Sequence, residues 1–123
     1  MAKILIADDE PSMRLLVAAT IESDEHEVLE ASEGNQAWDM IVQHRPRVVI
    51  LDVQMPGRDG LDLARAIRAD PGLAGLRIIM LSGKALESNV QEGLAAGADV
   101  YLSKPFRPRD LRDALDRTLA AGA

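Results

Sequence analysis

Apolar runs rich in β-branched residues alternate with segments of helical period five times along the chain, a pattern that predicts five strand-helix units. Lys3 to Ala7 reads as a strand. Pro11 suits the first turn of the helix behind it, in which Met13, Leu16, Val17, Thr20 and Ile21 recur at three-and-four spacing. Val28 to Ala31 gives a second, weaker strand. Ala37, Trp38, Ile41 and Val42 mark the next helix, which must stop near Arg45 because Pro46 cannot continue it. Arg47 to Val53 is nearly continuous in apolar residues, as expected for a strand covered on both faces. Asp59 is placed to cap a third helix with Leu63, Ala64 and Ile67 inside, and Pro71-Gly72 closes that region in a loop. Arg77 to Leu81 is the fourth strand, and its helix directs Leu86, Val90 and Leu94 inward before a left-handed cap at Gly97. Val100 to Leu102 is the fifth strand. Leu111, Ala114, Leu115, Thr118 and Leu119 form the stripe of a last helix, and Trp38 reads as a core residue on its own stripe.

Right-handed crossovers, with helices needed on both faces, leave few topologies for five such units. The expected fold is α/β: a five-stranded parallel sheet of order 2-1-3-4-5, doubly wound with five helices, in one domain over residues 1–123. This order sets the first and third strands side by side.

Composition narrows the function. Apolar residues make up 47% of the chain and the aromatics are one Trp, one Tyr and one Phe, so the core must be aliphatic. The absence of Cys excludes disulfides and thiolate chemistry. No charged-then-apolar leader or long apolar stretch is present, and the expectation is a soluble cytoplasmic protein without a membrane partner. A net charge of -6 argues against direct nucleic-acid binding, which needs a basic surface. The charge is uneven: residues 1–62 carry five basic and thirteen acidic side chains, residues 63–123 nine basic and seven acidic. Two differently solvated faces explain this, as does a mixed-charge docking surface in the second half.

Polar residues follow four of the apolar runs: Asp8-Asp9, Asp52, Ser82 and Lys104-Pro105. In an open parallel sheet the carboxyl ends of the strands share one edge and bind ligands in the crevice outside it. Each residue has a plainer reading alone. Asp8 and Asp9 suit a turn before a helix N-terminus, Ser82 a loop start, and Lys104 the solvated surface. Together they are three carboxylates, a hydroxyl and an ammonium. Crowded carboxylates raise one another's pKa unless a cation relieves them, so the set suits a hard divalent ion, Mg²⁺, beside a phosphoryl group.

The chain resembles the receiver domain of two-component response regulators, in particular single-domain, chemotaxis-regulator-like members. The residues that carry the resemblance are Asp8-Asp9, the run Asp52-Val53-Gln54-Met55-Pro56-Gly57-Arg58-Asp59-Gly60, Ser82-Gly83, Gly97 to Tyr101, and Lys104-Pro105-Phe106. It implies a flavodoxin-like receiver fold. It further implies that Asp52 accepts a phosphoryl group from a histidine kinase or phosphotransfer protein, and that Asp8, Asp9, Asp52 and the main-chain carbonyl of Gln54 hold Mg²⁺. Lys104 and the Ser82 hydroxyl would contact the phosphoryl oxygens, and the receiver would catalyse its own phosphorylation and dephosphorylation without acting on outside substrates. Ser82 and Tyr101 would switch the face of the fourth helix, fifth strand and fifth helix toward a downstream protein target, while Gln54 and Lys84 tune the lifetime of the acyl phosphate. Lys104-Pro105 would be cis. Val100 stands where many DNA-binding members carry an acid used in dimer ion pairs, which weakens that dimer mode.

Rival readings fare less well. A flavin protein of this fold would place a Ser-, Thr- and Gly-rich phosphate loop where Asp8-Asp9-Glu10-Pro11 stands, and the P-loop motif is absent. A phosphatase with an aspartyl nucleophile would want a second acid at Gln54. A receiver-like interaction module working without phosphorylation would have no use for mutually repelling carboxylates.

Overall fold

Alternating side chains along each strand meet two different layers of helix, and this divides the core into two. The computed structural model describes residues 2–22, 26–83 and 87–121. Among these, the strands are β1 (Lys3–Ala7), β2 (Glu27–Ala31), β3 (Val48–Asp52), β4 (Arg77–Ser82) and β5 (Val100–Ser103). The helices are α1 (Pro11–Glu22), α2 (Gly34–His44), α3 (Gly60–Ala69), α4 (Glu87–Ala96) and α5 (Pro108–Ala121), with a single 3-10 turn at Pro71–Leu73. Every pairing is parallel and the order is β2-β1-β3-β4-β5, as expected.

Leu5, Val49, Leu51, Ile78 and Met80 face one way, against Ile41 of α2, Leu63 and Ile67 of α3 and Ala96 of α4. Ile4, Ile6, Ile50, Ile79 and Leu81 face the other way, against Val17 and Ile21 of α1 and Leu111 and Leu115 of α5. Central β3 is buried along its whole length, which accounts for its unbroken apolar run, whereas edge strand β5 is half-exposed throughout. Each large aliphatic side chain fully buried in these layers is stabilising by about 1.5–3 kcal/mol.

The boundaries follow local chemistry. Asp59 caps α3 by accepting from the Asp62 N–H at 2.8 Å. α2 stops at Arg45, in the left-handed region ahead of Pro46. Gly97 follows α4 with φ of 124°. Three expected inward residues point outward instead: Leu16, Val42 and Leu94 are 42%, 49% and 44% exposed. Each lies one residue from a buried neighbour, Val17, Ile41 or Gly93, and one residue is a rotation of about 100° on a helix. Trp38 is half-buried rather than core, with the Arg58 guanidinium 5.0 Å above its ring. Leu86, expected inside α4, lies outside the described residues.

Candidate functional site

The parallel register aligns the carboxyl ends of the inner strands: Ala7 is paired with Leu51, Asp52 with Leu81, and Ser82 with Ser103. Residues that end a strand, or come directly after it, therefore meet at one edge. Asp8, Asp52 and Ser82 are buried there, at 1%, 5% and 1% exposure, while Asp9 is open to solvent.

Main-chain contacts hold the acids in place. The Asp8 N–H donates to the Ala31 carbonyl at 3.1 Å, and Asp8 Oδ1 accepts from the Glu10 N–H at 2.9 Å. Asp52 Oδ1 accepts from the Gln54 N–H at 3.2 Å. Behind Asp52, Gly60 opens α3 so close that a Cβ there would lie 2.5 Å from the Asp52 carbonyl oxygen. The N-terminus of α3 is thus pressed against the end of β3, and only glycine allows it. The Lys104 N–H donates to the Ser82 carbonyl at 2.7 Å, and the Lys104-Pro105 peptide is cis.

Lys104 Nζ sits between the two buried carboxylates, 3.3 Å from Asp8 Oδ2 and 3.4 Å from Asp52 Oδ2. Burial, followed by repulsion from Asp8, pushes the Asp52 carboxyl up to about 6; Lys104 and the Gln54 N–H only partly offset this. For Lys104, burial works to lower the pKa, but attraction to Asp52 and Asp8 outweighs it and holds the ammonium above its ordinary value. Among the described residues, one ammonium against two buried carboxylates leaves a demand for further positive charge.

Asp8, Asp9 and Asp52 each offer a carboxylate oxygen within 4.8 Å of the others. All three donors are hard oxygens, which suits a cation such as Mg²⁺ and none of the softer metals that favour sulfur or imidazole. An open cleft of about 470 Å³ begins at Asp9 and Gln54 and runs to Asn89, Glu92 and Tyr101. The Gln54 side chain is exposed, and the half-buried Tyr101 packs on the core layer beneath α4. The expected site residues Asp8, Asp9, Asp52, Ser82 and Lys104 therefore share one edge, with Gln54 at its rim and Tyr101 at the far end of the cleft. Lys84 lies outside the described residues.

Sequence reasoning missed Arg14. Its Nη1 donates to the Asp8 carbonyl at 2.7 Å, while Nε lies 3.4 Å from Glu30 of β2. The only available signal was a cation one and a half turns beyond the acidic pair, which without coordinates reads as any helix-surface arginine.

A family model described as the response regulator receiver domain matches residues 4–116. The phosphate regulon transcriptional regulatory protein PhoB of Pseudomonas aeruginosa is 43% identical over 108 residues, covering 88% of this chain and 47% of that protein. The DNA-binding response regulator MtrA of Mycolicibacterium smegmatis is 36% identical, over 89% of this chain and 46% of that protein. The chain thus spans about half the length of these curated relatives. Among solved structures, a chemotaxis response regulator, CheY4 of Vibrio cholerae, superposes with a TM-score of 0.90 at 36% identity, covering 96% of this chain and 98% of that one. A response regulator described as putative, from Chloroflexus aurantiacus, gives 0.92 at 33% identity, over 97% and 98%. No helix among the described residues is long and apolar enough to cross a membrane. With its parallel sheet of order 2-1-3-4-5 and this match along nearly all its length, the chain belongs to the response regulator receiver domain family and serves in two-component signalling.

Proposed function

We propose that the chain is a phosphorylation-activated switch in which Asp52 is the phosphoacceptor. The observation that carries this is the placement of Asp52: buried at a strand end, beside a second buried carboxylate, with one ammonium reaching both. The donor would be a phosphohistidine on a histidine kinase or phosphotransfer protein. An Asp52 carboxylate oxygen forms the P–O bond as the P–N bond breaks, and the imidazole nitrogen keeps the electron pair. At neutral pH most of Asp52 is ionised, as a nucleophile must be, because its pKa of about 6 still lies below the medium.

Positioning and electrostatics supply the catalysis. Lys104, held in place by the carboxylates it neutralises, is set to follow the charge onto a phosphoryl oxygen. Ser82 offers a hydroxyl at the end of β4, and Asp8, Asp9, Asp52 and the main-chain carbonyl of Gln54 are the ligands assigned to Mg²⁺. When bound, Mg²⁺ neutralises charge on the phosphoryl oxygens and lowers the repulsion met by the nucleophile. The Gln54 side chain, which is exposed, and Lys84 are assigned to tuning the lifetime of the acyl phosphate, Gln54 by acting on the approaching water. Self-catalysed transfer and hydrolysis of this kind make the protein a regulator rather than an enzyme acting on outside substrates.

The output is assigned to the face of α4, β5 and α5, where Ser82 and Tyr101 respond together and a downstream protein binds one state better than the other. A cytoplasmic location fits partners of this class. Incubation with a small acyl phosphate and Mg²⁺ is expected to add one phosphoryl group by intact mass, with Asp52→Asn adding none. Failure of wild type to take up phosphoryl from that donor and from candidate histidine kinases alike would favour an interaction module that works unphosphorylated.

A further inference from the structure

Gly93 lies buried in the middle of α4, where glycine is a poor choice. Alanine there would ordinarily favour the helix, raising the folding equilibrium constant roughly two- to five-fold. Its backbone lies outside the left-handed region, so no conformational demand requires glycine. Space does. A Cβ on Gly93 would lie 2.6 Å from Tyr101 Cδ2, 2.9 Å from Tyr101 Cε2 and 3.0 Å from Met80 Sδ. Met80 and Tyr101 are paired across β4 and β5, so ring and thioether lie side by side under the helix.

This approach differs in kind from those at Gly34 and Gly60, and it differs from the side-chain approach at Gly97 in that no positive φ demands glycine. Gly34 and Gly60 face main chain, against the Arg58 carbonyl and the Asp52 carbonyl, and a side chain at either would force the backbone apart. At Gly93 the near atoms belong to a ring that can swing away about its own side-chain bonds and to a thioether that can adapt. Tyr101 also walls the cleft that begins at Asp9 and Gln54, so the volume it fills is continuous with the acidic site.

We propose that Gly93 is a positioning residue for Tyr101: the missing side chain on α4 is what admits the inward ring, and any side chain there drives the ring out toward solvent. The consequence for signalling rests on the reading of Tyr101 as the readout residue, whereas the steric claim does not. If Tyr101 exchanges between two positions, a residue that excludes one of them biases the output face whatever the state of Asp52.

The chain holds a single Tyr, so incorporated 3-fluorotyrosine reports one ¹⁹F resonance from this site alone. In the unphosphorylated protein, Gly93→Ala is expected to at least double the broadening of that resonance by a soluble paramagnet. Unchanged exposure in folded Gly93→Ala overturns the proposal. A thermodynamic cycle guards against a variant that folds poorly. With Tyr101→Ser, Gly93→Ala should stabilise by the two- to five-fold expected of helix propensity, and with Tyr101 present that gain should be lost. Equal effects in the two backgrounds overturn the proposal, as does a double variant that unfolds while Tyr101→Ser alone folds. Intact mass after acyl-phosphate treatment of the same samples keeps the two readings apart, because absence of phosphoryl uptake counts against the switch and leaves the ¹⁹F result standing.

Discussion

Charged clusters occupy both ends of the sheet, and they are built on opposite rules. At the amino-terminal ends of β4 and β5, Asp99 accepts from the Ile78 N–H at 2.8 Å, from Arg68 at 2.9 Å and from Arg77 at 3.5 Å. Arg68 also donates to the carbonyls of Gly97 and Leu76, at 3.0 and 2.6 Å, and the Asp99 N–H returns to the Ile78 carbonyl at 2.8 Å. Gly97 makes room for this, since a Cβ there would lie 2.4 Å from Arg68 Cγ. One carboxylate meets two guanidiniums, and the contacts tie α3, β4 and the approach to β5 together. At the carboxyl ends, among the described residues, three carboxylates crowd together with an ammonium that reaches only Asp8 and Asp52, and Asp52 is pushed up to about 6. Charge that is compensated within the fold holds the fold. Charge left in excess waits for something the chain does not contain, at a cost in stability.

The largest contrast should appear in phosphoryl uptake. Asp52→Asn is expected to lose the added mass completely, and Asp99→Asn to keep it at the wild-type level. A folded Asp99→Asn protein that takes up nothing would break the division between the two ends. Next in size is a stability effect. Asp99→Ala removes the carboxylate that Arg68, Arg77 and the Ile78 N–H all donate to, and hydrogen bonds to a charged group are each worth about 1.5–3 kcal/mol. Asp99 is 27% exposed on its side chain, so a loss of about 3 kcal/mol is expected from urea unfolding.

How far each cluster could be read in advance differs too. Asp8, Asp52, Ser82 and Lys104 were legible because each marks the junction of an apolar strand and a polar loop, and parallel topology gathers such junctions at one edge. The Asp99 cluster was not, since Arg68 and Asp99 are 31 residues apart and both carry ordinary surface side chains. Nothing in the local period distinguishes them from solvated charges. Arg14 is hidden in the same way, because one of its partners is a main-chain carbonyl and the other, Glu30, lies on a separate element. Leu16, Val42 and Leu94 show a separate limit: apolar periodicity finds a helix but leaves its rotation uncertain by one residue when neighbouring positions are both apolar, as with Leu16-Val17 and Ile41-Val42.

Lys104→Met sharpens the comparison from the cationic side. Its ammonium is 16% exposed on the side chain and faces Asp8 and Asp52, so its loss leaves two buried carboxylates uncompensated, costing about 2 kcal/mol at pH 7 in metal-free buffer. The folded pKa of Lys104 is raised, so its contribution is fully present below 10.5 and is lost only as pH rises through the folded value. On the acid side the contribution fades for a different reason, as the carboxylates themselves protonate. Unfolding curves of the two proteins that stay equally far apart at pH 3 and pH 7 would point to lost packing of the lysine stem instead.

The smallest effect carries the opposite sign. Asp52 has a folded pKa of about 6 against an ordinary value of 3.8, so between these values the folded state binds more protons than the unfolded one. Stability due to this group therefore falls as pH rises from about 4 to about 6 and is level above that. Two pKa units correspond to about 3 kcal/mol at most; the neighbouring Asp9 side is open to water, which reduces this to about 1–2 kcal/mol. Asp52→Asn should then be more stable than wild type by that amount at pH 7 with a chelator present, and the gain should vanish below pH 4. At the other end of the sheet, Asp99→Asn should lose stability under the same conditions. If both substitutions destabilise, the carboxyl-end acids are compensated within the fold after all, and the excess charge on which the proposed phosphoacceptor site rests is not there.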